Sequence, residues 1–209
     1  MTGSILGVVL AGGLATRMGG VDKGKLSLGP QKTILDEVLK RLMPQVDATV
    51  INANGDPSRF DQYELPVVVD STAGFKGPLA GVLAGLEFAE NHQYEWVCSV
   101  AADTPFFPTN LVCCFMQEAE KEKSPVVLAS SYDALKGRWM RQPTFGLWHI
   151  RLIDPLRQAL DDGVRKIVVW TDAVGGVEAQ FIHKENHLDP FFNVNTPEDL
   201  VIAQRDLAT

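Results

Sequence analysis

The sequence predicts an α/β protein, a single-domain three-layer α/β/α sandwich built on a mostly parallel sheet. Short apolar runs alternate with longer segments of helical period, the mark of parallel strands joined by crossover helices. The apolar runs of the first half end on glycine, asparagine or aspartate, as strands do when they carry polar groups to one edge of an open sheet. The 209 residues suit one well-filled core, with no internal repeat, low-complexity stretch or linker of boundary composition, so residues 1–209 are expected to form one domain.

The elements follow in chain order. A strand at 6–10 leads through Leu10 into a long glycine-rich loop, and a helix fits 33–46. Strands at 48–52 and 66–70 end on Asn52-Ala53-Asn54 and Asp70, with a helix at 78–91 behind them. The apolar run 95–102 is the next strand and stops at Asp103, before a helix at 109–122. A strand at 126–130, a helix at 150–162 and a strand at 177–182 continue the alternation. The last helix, 196–207, has the clearest start, because Asn195-Thr196-Pro197-Glu198-Asp199 places a capping residue, a first-turn proline and acids at the positive end of the dipole. Residues 131–148, rich in Lys, Arg and Trp, are left open between a loop and a strand over 144–148.

Bulk properties exclude several function classes. Hydrophobic residues make up 45% and charged residues 22%, and no apolar run approaches the roughly 20 residues that span a bilayer. No membrane association is expected. The start runs into a strand without a basic leader or cleavage site, so the expected location is cytoplasmic. Cys98, Cys113 and Cys114 cannot all pair and have no zinc spacing; they read as reduced thiols, and His92, His149, His183 and His187 lack metal spacing too. A net charge of −7 disfavours nucleic acid, which calls for a basic face. A small anionic ligand needs only local cations, and Arg17, Lys23 and Lys25 supply them beside the glycine loop.

That loop, from Leu10, Ala11, Gly12 and Gly13 through Arg17 to Lys23, lets backbone approach a ligand and aim N–H groups at phosphate oxygens. The dinucleotide spacing G-x-G-x-x-G is absent. Gly19-x-x-x-x-Gly24-Lys25 imitates a P-loop, but Leu26 replaces the Ser or Thr that a P-loop places on magnesium. Asp103, at a strand end opposite the loop, is the candidate Mg2+ ligand, since magnesium takes one or two carboxylates and fills its octahedron with phosphates and water.

Leu10-Ala11-Gly12-Gly13-x-x-x-Arg17-Met18-Gly19-Gly20-x-Asp22-Lys23 resembles the signature loop of the molybdenum cofactor guanylyltransferases. The resemblance continues in order through Asn52-Ala53-Asn54, Gly77-Pro78-Leu79-Ala80-Gly81, Asp103-Thr104-Pro105, Gln142-Pro143-Thr144 and Asn193-Val194-Asn195-Thr196-Pro197-Glu198, nearly the whole chain. It implies a Rossmann-like, nucleotide-binding N-terminal half and a molybdopterin-binding C-terminal half. In that reading Leu10, Ala11, Gly12 and Gly13 hold GTP, Lys23 meets its phosphates, and Asn52 and Asp70 make further contacts. Gly77 and Gly81 belong to the segment enclosing the guanosine, Asp103 holds magnesium, and Asn193 and Asn195 face the pterin, joined by the basic Arg165-Lys166 segment. The second metal carboxylate of many sugar nucleotidyltransferases has no counterpart, because Asn193 and Asn195 stand in that region.

The implied reaction is attack of a molybdopterin phosphate oxygen on the α-phosphorus of GTP, with Asp103, Lys23 and Arg17 as the catalytic group. The implied partners are GTP, molybdopterin, cofactor-biosynthesis proteins and target molybdoenzymes. Cytidylyl transfer to the same cofactor and nucleotidyl transfer to a sugar phosphate are the near alternatives; the cytidylyl branch usually has alanine in place of the first glycine. A GTP-binding carrier of molybdopterin is the non-enzymatic alternative.

Overall fold

The computed structural model describes residues 3–12, 23–71, 77–133, 136–182 and 188–207. β1 (Ile5–Leu10) pairs in parallel with β4 (Ala48–Asn52) on one side and β6 (Trp96–Ala101) on the other, and β5 (Val67–Val68) extends the sheet beyond β4. The order is β5-β4-β1-β6-β8-β7-β9, with β7 (Val126–Asp133), β8 (Arg138–His149) and β9 (Val177–Phe181) completing the far side. Only β8 runs against the others. A small hairpin, β2 (Ser27–Gly29) with β3 (Lys32–Thr33), stands apart from the sheet.

Side-chain alternation along β1 builds the three layers. Ile5 and Val9 join the cluster that takes α1 (Ile34–Leu42), α3 (Leu111–Glu122) and α6 (Pro197–Leu207). Leu6 and Val8 face the opposite cluster, with α2 (Pro78–Asn91), α4 (Ile153–Asp161) and α5 (Ile167–Ala173). Two glycines let helices sit close: a Cβ on Gly7 would come within 3.0 Å of Leu42 and Val46, and one on Gly85 within 2.7 Å of Val8. The expected sandwich is therefore the observed one.

Several boundaries differ from expectation for local reasons. The helix expected over 33–46 ends at Leu42 and tightens into a 3-10 turn, Met43–Gln45, because Pro44 has no N–H for the next helical bond. Thr33 is its cap rather than its first residue, exchanging capping-box bonds with Asp36. The helix expected over 109–122 begins at Leu111, and that expected over 150–162 is split into a 3-10 turn, Ile150–Leu152, and α4. The strand expected over 66–70 is only β5, so Asp70 lies beyond it, in a loop. α6 starts where its cap signals placed it, with Thr196 Oγ1 accepting from Asp199 N at 3.1 Å.

The open segment 131–148 belongs to a long hairpin. β7 runs on to Asp133 and β8 returns from Arg138, with Tyr132 opposite Trp139. The register jumps between Leu128, opposite Gly146, and Ala129, opposite Gln142, so Pro143, Thr144 and Phe145 bulge from the ladder. Pro143 cannot donate a ladder bond, which is consistent with a break there. Buried Trp148 donates from Nε1 to Ser99 Oγ at 2.8 Å, and Ser99 Oγ donates to Thr144 O at 3.0 Å, pinning β8 against β6. Two basic residues of this stretch are paired within the fold: Arg141 bonds Glu178 at 2.5 Å and Asp172 at 2.6 Å, and Lys136 bonds Asp133 at 2.8 Å.

Candidate active site

Parallel pairing brings four strand ends to one edge. Leu10 is opposite Asn52 on one side and Ala101 on the other, and Asn52 is opposite Val68. Backbone bonds carry the ladder past the strands: Ala11 N donates to Asn52 O at 2.8 Å, Ala102 N to Leu10 O at 3.1 Å, and Ala53 N to Val68 O at 3.0 Å. Gly12 and Asp103 each lie two residues beyond adjacent register partners, so they share the carboxyl edge. The chain crosses from β5 to β6 over β1 and β4, making β1 and β6 the point where strand order reverses, the place where open α/β sheets take ligands.

One wall of this rim is a network of carboxamides. Buried Asn52 donates from Nδ2 to Asp70 Oδ1 at 3.0 Å and to Val68 O at 3.2 Å. Asn54 Nδ2 donates to Asp70 Oδ2 at 2.7 Å, and Asp70 N donates to Asn54 Oδ1 at 3.0 Å. Arg59 Nη2 adds a bond to Asn54 O at 2.7 Å. Both oxygens of Asp70 thus face amides, which suits a wall residue rather than a metal ligand. Gly81 packs against this wall, since a Cβ there would overlap the Asn52 carboxamide, and a Cβ on Gly12 would lie 3.8 Å from Asn52 Oδ1. Gly77 precedes α2 at φ +140, in the region that favours glycine. The contributions of Asn54 and Arg59 were not anticipated; Asn54 stood in the sequence as a polar residue after a strand and within the Asn52-Ala53-Asn54 block, with no role assigned to it.

On the other side of β1, Asp103 O accepts from Val194 N at 2.9 Å, and Thr104 Oγ1 lies 3.4 Å from Asp103 Oδ1. This backbone bond brings Asn193 and Asn195, both exposed, beside Asp103. Among the described residues no group of three or more His, Cys, Asp and Glu stands together. A half-buried carboxylate fits magnesium, which takes most of its ligands from phosphate and water. Gly13 and Arg17 lie outside the described residues; Lys23 opens a 3-10 turn, Lys23–Lys25, directly before the small hairpin. Arg165 Nη1 donates at 2.9 Å to Leu160 O and Val164 O, within its own turn.

The opposite edge has a different character. A hollow of about 350 Å³ at the amino ends of the strands is lined by Glu95, Trp96, Met116, Lys123, His149 and Arg151. It holds none of the residues expected in the site; the polar strand ends converge at the carboxyl rim instead. Cys98 takes no part in either: burial pushes its thiol up to about 12, which keeps it protonated and inert. No helix among the described residues is long and apolar enough to cross a membrane.

A sheet that reverses order at β1, with a glycine strand end and a carboxylate strand end side by side, is an open α/β sheet with a ligand crevice at its switch point. Residues 7–174 match the model of the MobA-like NTP transferase domain. A molybdenum cofactor guanylyltransferase from Nitrobacter hamburgensis is 45% identical over 95% of this chain and 92% of its own length. One from Mesorhizobium japonicum is 43% identical over 98% and 97%. The chain belongs to the MobA-like NTP transferase family. Among solved structures, molybdopterin-guanine dinucleotide biosynthesis protein A from Archaeoglobus fulgidus has the same fold, with TM-score 0.74, 24% identity and 98% of each chain covered. The fold is also that of a 4-diphosphocytidyl-2C-methyl-D-erythritol synthase from Anaerococcus prevotii, with TM-score 0.73 at 15% identity over 99% of this chain and 97% of that one.

Proposed function

We propose that this protein transfers GMP from GTP to the phosphate of molybdopterin, forming the guanine dinucleotide cofactor and releasing pyrophosphate. The observation that carries the reading is the meeting of Asp103 with residues 193–195 on the edge that also holds Gly12, Asn52 and Asp70. One edge then serves both substrates, the nucleotide over β1 and β4 and the acceptor over β6 and the segment before α6. The names of the relatives support guanine as the base and molybdopterin as the acceptor.

A terminal phosphate oxygen of the acceptor forms the new bond to the α-phosphorus as the bond to the β-phosphate bridging oxygen breaks. The nucleophile is already anionic, so no side chain has to remove a proton, and the protein's work is alignment and charge neutralisation. Leu10, Ala11, Gly12 and Gly13 present backbone to the triphosphate, while Lys23 and Arg17 offset charge on the departing pyrophosphate. Asn52, Asp70, Gly77 and Gly81 shape the nucleoside wall, and Asn193 and Asn195 face the pterin. Asp103 would hold Mg2+, which when bound would supply positive charge against the charge that develops on the phosphates. The N-terminal half is thus the GTP half of one domain, the C-terminal half receives the acceptor, and the reaction takes place in the cytoplasm.

Pyrophosphate release with molybdopterin and GTP, CTP or dTTP in turn tests this. Release with GTP well above the other two is expected. Preference for CTP, equal release with a sugar phosphate, or GTP binding without pyrophosphate would replace the reading with one of its alternatives.

A further inference from the structure

Glu37 of α1 is 3% exposed, and the transfer chemistry makes no use of it. Two cations flank its carboxylate: Lys32 of β3, just before the helix, on Oε2, and Arg41 Nε, one turn further along α1, on Oε1 at 2.9 Å. Burial pushes the Glu37 carboxyl up, but the hydrogen bonds and charges of Lys32 and Arg41 outweigh it and leave the group below the ordinary value. A buried ion cluster is a weak source of net stability, because desolvation offsets much of the attraction. What it does here is join two segments.

Each cation leads to one half of the proposed site. Lys32 lies in the hairpin that follows the Lys23–Lys25 turn, and Ile34 N donates to Leu26 O at 3.0 Å, fastening that hairpin to the start of α1. Arg41 Nη1 donates to Phe107 O at 3.2 Å, four residues after Asp103, and its guanidinium lies 5.9 Å from the Phe106 ring centre. Gln45 reinforces this arm, donating to Pro108 O at 3.2 Å and accepting from Val112 N at 3.1 Å.

We infer that Glu37 is a positioning residue: through Lys32 and Arg41 it holds the hairpin after Lys23 and the loop after Asp103 at a fixed separation, so that both halves meet one triphosphate. This rests on the nucleotidyl-transfer reading. Misplacing a reacting group by about 1 Å costs roughly a hundredfold in rate, so a tether outside the substrate's reach has kinetic consequences.

Three variants of the full chain separate the arms. Arg41→Gln cuts the Asp103 arm, Lys32→Gln cuts the hairpin arm, and Glu37→Gln weakens both while keeping the side chain's shape. The readouts are kcat, KM for GTP, Mn2+ binding to the GTP complex by electron paramagnetic resonance, amide exchange over residues 104–108, and melting temperature. Arg41→Gln should lower kcat about tenfold, weaken Mn2+ binding and speed exchange over 104–108, with KM for GTP within about twofold of the parent. Lys32→Gln should raise KM for GTP with Mn2+ binding unchanged, and Glu37→Gln should do both.

Changes that follow melting temperature alone, or parental metal and nucleotide parameters in folded Arg41→Gln and Lys32→Gln, would overturn the inference even if Glu37→Gln does not fold. Asp103→Asn run alongside keeps the two claims apart. Full turnover in that variant sinks the metal role of Asp103, whereas exchange over 104–108 in Arg41→Gln still decides whether the tether exists.

Discussion

Asn52 Nδ2 and Asp70 Oδ1 stand 3.0 Å apart, so that one hydrogen bond ties the end of β4 to the loop beyond β5. Asp70 serves Asn54 as well, at 2.7 Å. Asp70→Ala therefore removes one of the two acceptors of the Asn52 amide and the acceptor of the Asn54 amide. Leaving such groups unsatisfied costs about 1–3 kcal/mol where they are buried, and the variant should melt lower and raise KM for GTP by about tenfold. Steady-state kinetics beside thermal melting checks this; a lower melting temperature with an unchanged KM would restrict Asp70 to folding.

Gly81 meets the same wall from α2. Its added methyl group in Gly81→Ala would have to displace the buried Asn52 carboxamide, an overpacking change that typically costs about 1–3 kcal/mol. GTP affinity measured by calorimetry should fall together with stability. Parental affinity would mean that Asn52 can shift without disturbing the nucleotide.

Asp103 O accepts from Val194 N, a backbone bond that Asp103→Asn preserves. The variant should fold, yet lose about 10² to 10³ in magnesium-dependent kcat. Near-normal turnover at saturating magnesium would remove Asp103 from the chemistry.

The amino edge supplies a pH test of the fold. Burial holds the His149 imidazole below its ordinary value of 6.5, Arg151 lowers it further, and Glu95 at 3.5 Å opposes both. The unfolded chain then binds a proton that the folded chain resists, so stability is lost as pH falls through about 6.5 and levels off once the folded imidazole is also protonated. Above that value both states are neutral and the effect vanishes. Melting between pH 5 and 7.5 should fall less steeply in His149→Gln than in the parent; parallel curves would contradict the assignment.

Much of this rim was legible because each residue sits where a strand must stop. Val8-Val9-Leu10 and the run into Asp103 announce buried parallel strands, and their polar ends need no tertiary information to be placed on a common edge. The Thr196 and Asp199 signals located α6 for the same local reason. β8 was hidden because its first half is polar, with Arg138, Arg141 and Gln142, because the charge of Arg141 is balanced by Glu178 and Asp172 from elsewhere in the fold, and because its ladder breaks at Pro143. α5 is a single short run whose burial depends on Trp170 stacking near Trp148. Asp70 was expected on a strand, but its backbone N–H goes to Asn54, a bond with no signature in the sequence. Glu37 likewise reads as an ordinary helical acid until Lys32 and Arg41 are seen on either side of it.

The location of GTP tests the central claim most directly. In a crystal of the full chain grown with GTP and Mg2+, the triphosphate should lie at the carboxyl ends of β1 and β6, with the cation against Asp103 and the nucleoside toward Asn52 and Gly81. A nucleotide seated instead at the amino edge, among Glu95, Trp96 and His149, or a cation remote from Asp103, would contradict the account.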